Sequence, residues 1–188
     1  MAQARAQWQS DQASLDPGRL VFIDETGAST KMARLYGRAL RGRRVIGRVP
    51  WGHWKTITFG AALRCDGLTA PFVIDCPMNA DIFVAYIRQC LAPVLRAGDI
   101  VVLDNLPAHK VDEVREIIEA VGAELRYLPP YSPDLNPIEM CFAKLKAHLR
   151  KARQRTVPGL YERIGSSLDL FSPGECRRYF VKAGYAST

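Results

Sequence analysis

Three acidic side chains in this chain stand where a carboxylate can do chemistry. Asp24 closes the compact apolar run Arg19 to Asp24 (RLVFID), and Asp104 closes a second run of the same texture, Asp99 to Asp104 (DIVVLD). Such runs read as buried strands, and buried parallel strands present ligands and reactive groups at their carboxyl ends. If the two strands are neighbours, about 5 Å apart, both carboxylates reach one cation; left unpaired, they repel. For either acid alone the alternative is a cap at a strand end. The third acid, Glu139, ends the segment LPPYSPDLNPIE (128 to 139), whose four prolines within nine residues impose a rigid, extended approach. Asn136 followed by Pro137 reads as a helix cap with proline at the first helical position, which puts Glu139 in the first turn. Asn136 and Glu139 also approximate a capping box, in which the glutamate bonds the cap amide, so a structural and a chemical reading of Glu139 both stand.

The elements that must hold these acids follow from periodicity and punctuation. Residues 1 to 18, around Trp8 and closed by Asp16-Pro17-Gly18, read as a short helix or linker arm. Val45 to Val49 and Thr56 to Leu63 are β-branched or alternating enough to be strands of an antiparallel meander. Gly37, Gly42 and Gly47 read as turn glycines, because no phosphate-loop pattern surrounds them. Pro71 to Asp75 gives another short strand. Asn79 and Asp81 precede an apolar stripe at helical spacing, Ile82, Phe83, Tyr86, Ile87, Leu91 and Leu95, with Gly98 behind it. Val111 to Val121 reads as an amphipathic helix and Glu124 to Leu128 as a strand. Beyond Pro137, Ile138, Phe142, Leu145 and Leu149 make one apolar helix face, with Glu139, Lys146 and Arg150 on the face beside it. Residues 156 to 188 read as two short helices split at Ser172-Pro173. Strands in a run, then strands interleaved with helices, point to one α/β domain with a mixed sheet and helices on its faces.

The 188 residues carry a net charge of +7 and are 48% hydrophobic, which fits a packed core and excludes a disordered or collagen-like chain. No apolar stretch is long enough to span a membrane, and the Met1 end has no secretion signal, so the expectation is a soluble cytoplasmic protein. The five cysteines are odd in number and form no C-x-x-C pair, which argues against a disulfide framework or a zinc site. All five read as reduced thiols, mostly buried. The positive charge is local. Residues 26 to 65 hold nine cations, among them Arg38, Arg41, Arg43 and Arg44, and no acid; residues 140 to 161 hold six, among them Lys144, Lys146, Arg150 and Lys151, and again no acid. The remainder balances to 11 minus 19, or −8. Such concentration suits a polyphosphate partner, through counterion release and steering, or else forms two solvated faces.

The words FIDETG around Asp24, LDNLPAH around Asp104 and LPPYSPDLNPIE ending at Glu139, with 34 residues between the last two acids, resemble the DDE transposases of the IS630 group, within the IS630/Tc1/mariner superfamily. The resemblance covers roughly residues 19 to 155. It implies a ribonuclease H-like fold with a mixed five-stranded sheet flanked by helices, and Asp24, Asp104 and Glu139 as a metal-binding catalytic triad. It divides the chain into an arm (1 to 18), a catalytic domain (19 to 155) and a helical extension (156 to 188). The implied chemistry is cleavage of DNA by two Mg²⁺ or Mn²⁺ ions about 4 Å apart, followed by strand transfer of the freed 3′ ends into target DNA, commonly at TA. Hard cations take oxygen ligands, as Asp and Glu provide. The implied partners are transposon ends, target DNA and a second copy of the chain in synapsis, in the nucleoid of a bacterial cytoplasm and away from membranes.

Two features depart from the family pattern. Many relatives have a tryptophan shortly after the glutamate, where this chain reads Glu139-Met140-Cys141-Phe142, with Phe142 taking the apolar role. Relatives also carry upstream helix-turn-helix modules, and only 18 residues precede the first strand here; the chain looks like the second half of a transposase split over two reading frames, or a relic. Competing readings are a stand-alone ribonuclease H-type nuclease and a non-catalytic DNA-binding or dimerisation fragment. His109, within the family word DNxxxH, reads either as a residue supporting the metal site or scissile phosphate, or as a cap or packing histidine. Glu25 should point away from Asp24 by strand alternation and is not assigned a metal. Trp51 and Trp54 read as core-edge fillers ahead of base-stacking residues, and Lys110 as exposed.

Overall fold

Strand β1 (Leu20–Ser29) is the middle of the molecule, and its first residues show why. Leu20, Val21, Phe22 and Ile23 are all buried, so neither face of the strand meets water. In the computed structural model, which describes residues 2–106 and 109–185, four more strands surround it: β2 (Thr56–Arg64), β3 (Gly67–Ile74), β4 (Ile100–Leu103) and β5 (Glu124–Tyr127). They form one sheet in the order β3-β2-β1-β4-β5. The first three pair antiparallel, while β1, β4 and β5 run parallel. Pro107 and Ala108, inside the LDNLPAH word, and the terminal stretch 186–188 lie outside the described residues.

Among the described residues, six α-helices accompany the sheet: α1 (Ala2–Gln12), α2 (Ala80–Tyr86), α3 (Asp112–Ala120), α4 (Ile138–Ala152), α5 (Val157–Ser167) and α6 (Pro173–Ala183). Alternation along β1 divides the core. Leu20 and Phe22 join Phe142, Leu145, Leu160, Ile164, Phe180 and Tyr185 on one side of the sheet. Val21 and Ile23 join Phe83, Ile87, Leu91, Val114 and Ile118 on the other. Phe22 meets Phe180 edge-on at 5.4 Å between ring centroids and Tyr185 at 4.8 Å. The last two helices therefore complete the core over β1.

The structure differs from the sequence reading at several points. Val45 to Val49 is not a strand: residues 31–55 contain no strand or helix, and Val45, Ile46 and Val49 are exposed. β-Branched residues favour a strand only where a neighbour pairs with it and a core receives its side chains. Trp51 and Trp54 lie in the same loop, both exposed, so neither fills the core; Lys31 Nζ sits 3.5 Å above the Trp54 ring. The helix begun at Asn79, whose side chain accepts from Ile82 N–H, passes into a π turn (Ile87–Leu91) and a 3₁₀ turn (Ala92–Val94). Pro93, which offers no N–H, lies in that last turn. All five cysteines are free thiols, but only Cys141 and Cys176 are buried.

Candidate active site

β1 does not end at Asp24, as its apolar run suggested, but continues to Ser29 against β2. What ends near Asp24 is the partner on the other edge. β4 stops at Leu103, and the parallel register pairs Phe22 with Val102. Carried two residues further, that register sets Asp24 beside Asp104, at the crevice where one parallel neighbour gives out. The period of two places Asp24 on the face of Leu20 and Phe22, toward α4, and Glu25 on the face of Val21 and Ile23. Helix α4 lays Ile138, Phe142, Leu145 and Leu149 on the sheet, and its first turn brings in Glu139.

Asp24, Asp104 and Glu139 line one cleft of about 420 Å³. Its other walls are Asn105, Leu106, Asn136 and the Leu128–Pro133 stretch. Among the described residues, no lysine or arginine lines it. Burial, followed by the negative charge of Glu139 and smaller contributions from Glu25 and Asp104, pushes the Asp24 carboxyl up to about 8. A hydrogen bond from Glu25 N–H to Asp24 Oδ1, at 2.8 Å, opposes that rise without cancelling it. Crowded carboxylates of this kind are relieved by a proton or by a cation. The donors are carboxylate and amide oxygens, which suit Mg²⁺ or Mn²⁺. Among the described residues, no group of three or more His, Cys, Asp or Glu side chains is placed so that it could hold a metal ion.

Neighbouring side chains hold the acids in place. His109 Nδ1–H faces Asp104 Oδ1 at 2.5 Å, and its Nε2 lies 3.3 Å from Glu25 Oε2, an ion-pair distance short of hydrogen-bond geometry. The ring is buried and stacks on Phe83, with centroids 4.2 Å apart. Burial lowers its basicity, but the two carboxylates outweigh burial and carry His109 up to about 9. The ring is thus packed on Phe83 and bonded to Asp104 at the same time. Tyr127 OH donates to the His109 carbonyl at 3.0 Å.

The capping box is not formed. The cap position of α4 falls at Pro137 with no side-chain bond, and Asn136 Nδ2 donates instead to Asp24 Oδ2 at 2.9 Å. Sequence reasoning missed this contact, since the same residue order satisfies the local rule for a cap. It also missed the brace on the proline-rich wall. Arg5 forks Asp134 at 2.8 and 2.9 Å and donates to Ser132 Oγ at 2.8 Å. Trp8 Nε1–H donates to Tyr185 OH, which donates to the Leu135 carbonyl, both at 2.8 Å. Tyr131, at the tip of that wall, is exposed and holds a left-handed backbone (φ 55°).

The basic residues fall into three situations. Arg38, Arg41, Arg43 and Arg44 are exposed on the 31–55 loop, whose base is tied by Thr30 N–H to the Lys55 carbonyl at 3.0 Å. Arg155 joins that base, donating to the carbonyls of Thr30 and Met32 at 2.8 and 2.9 Å. Lys146 and Arg150 are half-buried along α4 and Lys151 is exposed. Lys144 is engaged internally, at 2.5 Å from Glu175 Oε2 and 2.7 Å from the Leu170 carbonyl.

A five-stranded mixed sheet of this order, with helices on both faces and acids at the β1/β4 crevice, is the ribonuclease H-like fold. The chain belongs to the DDE superfamily endonucleases, whose family pattern it matches over residues 19–160. Among solved structures it is similar to the Mos1 transposase paired-end complex with left transposon end, at 18% identity and a TM-score of 0.75. That match covers 97% of this chain but 57% of the transposase chain. It is also similar to the catalytic domain of Mos1 mariner transposase, at 16% identity and a TM-score of 0.70, covering 97% of this chain and 85% of that one. The Mos1 catalytic domain with raltegravir and Mn matches at 17% identity and a TM-score of 0.69, covering 97% and 86%. Comparison with curated proteins gives no match. Among the described residues, no helix is long and apolar enough to cross a membrane.

Proposed function

We propose that this chain is the catalytic domain of an IS630-group DNA transposase, with Asp24, Asp104 and Glu139 holding divalent cations for phosphodiester cleavage and strand transfer. One observation carries the reading: three carboxylates from distant parts of the chain line a single cleft whose described walls hold no lysine or arginine. Mg²⁺ or Mn²⁺, as two ions, fits the oxygen donors and accords with the Mg and Mn named for the matched Mos1 structures. When bound, such ions supply an activated water and offset charge on the leaving oxygen. Asn136 and the Glu25 amide orient Asp24, and His109 orients Asp104. Arg38, Arg41, Arg43 and Arg44 on the loop, with Lys146, Arg150 and Lys151 on α4, grip phosphates beside the cut. Lys144 takes little part, being paired with Glu175.

Recognition of transposon ends falls to a helix-turn-helix module upstream, in the same polypeptide or a frameshift partner. Synapsis uses two copies of the chain on target DNA at TA, in a bacterial cytoplasm at the nucleoid. The test is nicking of supercoiled DNA by the purified chain with Mn²⁺. The expected result is metal-dependent nicking of weak sequence preference, reduced about a thousandfold by Asp104→Asn, since bound metal is worth several kcal/mol of charge stabilisation. Equal nicking by the variant would reject the assigned site.

A further inference from the structure

Asn136 stands two residues before α4 with an extended backbone (φ −105°, ψ 101°), and asparagine is among the best residues for bonding first-turn amides. It makes no such bond. Its amide nitrogen reaches Asp24, 112 positions away in the sequence. The residue is only 4% exposed, and its Oδ1 has no hydrogen-bond partner among the described residues. Both the unmade cap and the unmatched buried carbonyl work against stability, so local folding does not explain the arrangement. A buried polar group left unmatched at a cleft is where function is to be sought.

We propose that Asn136 is a positioning residue for the cation-holding carboxylates: its N–H fixes Asp24 against the start of the helix bearing Glu139, and its Oδ1 accepts a hydrogen bond from water carried on the cation. The proposal rests on the acid-site reading given above. With Glu25 N–H on Oδ1 and Asn136 Nδ2–H on Oδ2, each Asp24 oxygen has one donor, which fixes the plane of the carboxylate. The amide nitrogen faces Asp24 Oδ2, which is the arrangement required once a cation ionises the carboxyl, because a carboxylate only accepts. A neutral donor has a further merit here. Arginine or lysine at this point would neutralise Asp24 and compete with a cation, whereas an amide orients the group and leaves its charge in place. Glu139 N–H bonds the Asn136 carbonyl at 3.3 Å, so the same residue ties Asp24 to the turn that presents Glu139.

The experiment compares the whole wild-type chain with Asn136→Ala, Asn136→Ser and Asp24→Asn, measuring Mn²⁺ binding without DNA by electron paramagnetic resonance and melting without metal. Serine restores a capping side chain but is too short to reach Asp24, so it serves if the alanine variant fails to fold. Both Asn136 variants should bind Mn²⁺ about 10- to 100-fold more weakly, the usual effect of removing a residue that orients a ligand, with metal-free melting unchanged or raised. A structural role would show the reverse, lower melting with unchanged Mn²⁺ binding, and would overturn the proposal. If Asp24→Asn weakens Mn²⁺ binding and the Asn136 variants do not, the proposal alone falls. If Asp24→Asn binds Mn²⁺ as the wild type does, the acid-site reading falls and the proposal with it.

Discussion

Asp24 stands on a strand buried on both faces with a donor at each carboxylate oxygen, whereas Arg38, Arg41, Arg43 and Arg44, further along the chain, stand on an exposed loop without strand or helix. The two regions are joined directly, because the loop is the connection between β1 and β2. Under the function proposed above, the two constructions suit two different tasks. Carboxylates that share a cation have to be held to within a fraction of an ångström, which calls for packed elements and oriented hydrogen bonds. Attraction to a polyphosphate is non-directional and survives motion of the cations. Long loops are tolerated at modest entropic cost once their ends are fixed, and here Thr30, Lys55 and Arg155 fix them.

That contrast can be broken by mutation. Phe180→Ala, in the core beneath β1, should destabilise the chain by about 3–5 kcal/mol in chemical denaturation. Loop changes should leave the denaturation midpoint where it is. Replacing Arg38, Arg41, Arg43 and Arg44 together by alanine should instead weaken DNA binding and lower the slope of log K against log salt by about 3–4, read from fluorescence anisotropy over a salt series. A shifted denaturation midpoint with an unchanged salt slope would reverse the roles of the two regions.

Acidity sharpens the comparison, since the strained group is in the cleft. Asp24 is raised from 3.8 to about 8, first by burial and then by Glu139, so the metal-free folded state holds a proton that the unfolded chain releases. That stabilisation is complete below about pH 4 and is lost as pH rises toward 8. His109, raised from 6.5 to about 9, acts in the same direction over a higher window. The denaturation midpoint of the metal-free protein should therefore fall between pH 5 and pH 8, and Asp24→Asn should flatten the fall. The smallest effect is expected at Lys144. Its pairing with Glu175 is partly exposed, so Lys144→Ala should change stability by about 1 kcal/mol or less and leave the DNA salt slope unaltered, whereas Lys146→Ala should lower that slope by about 1.

Much of this arrangement is written locally. Apolar periodicity marks β1, β2, β4, α3 and the sheet-facing stripe of α4, because burial on one or both faces leaves a pattern of period 2 or 3.6 in the residues themselves. The Pro137 boundary and the cap at Asn79 are equally local, set by a missing N–H and by a short polar side chain. The acids could be singled out because each closes an apolar run or opens a helix. The DDE relationship is carried by three short words around those acids.

What local pattern could not supply was decided by distant contacts. Val45 to Val49 has strand-forming residues, yet no neighbouring strand takes up its backbone, so the β-branched run stays in a loop. Asn136 satisfies the sequence rule for a cap, and only the folding of β1 beside it supplies the carboxylate that it bonds instead. His109 joins Asp104 and Glu25 because β1 and β4 lie side by side, and Arg5 braces the cleft wall because α1 packs near the far end of the chain. Sequence thus determined which residues are apolar, charged or stiff, through short-range steric and hydrophobic preferences. Which polar groups meet was settled by the tertiary structure, since a hydrogen bond between residues 112 positions apart exists only after the sheet has brought them together.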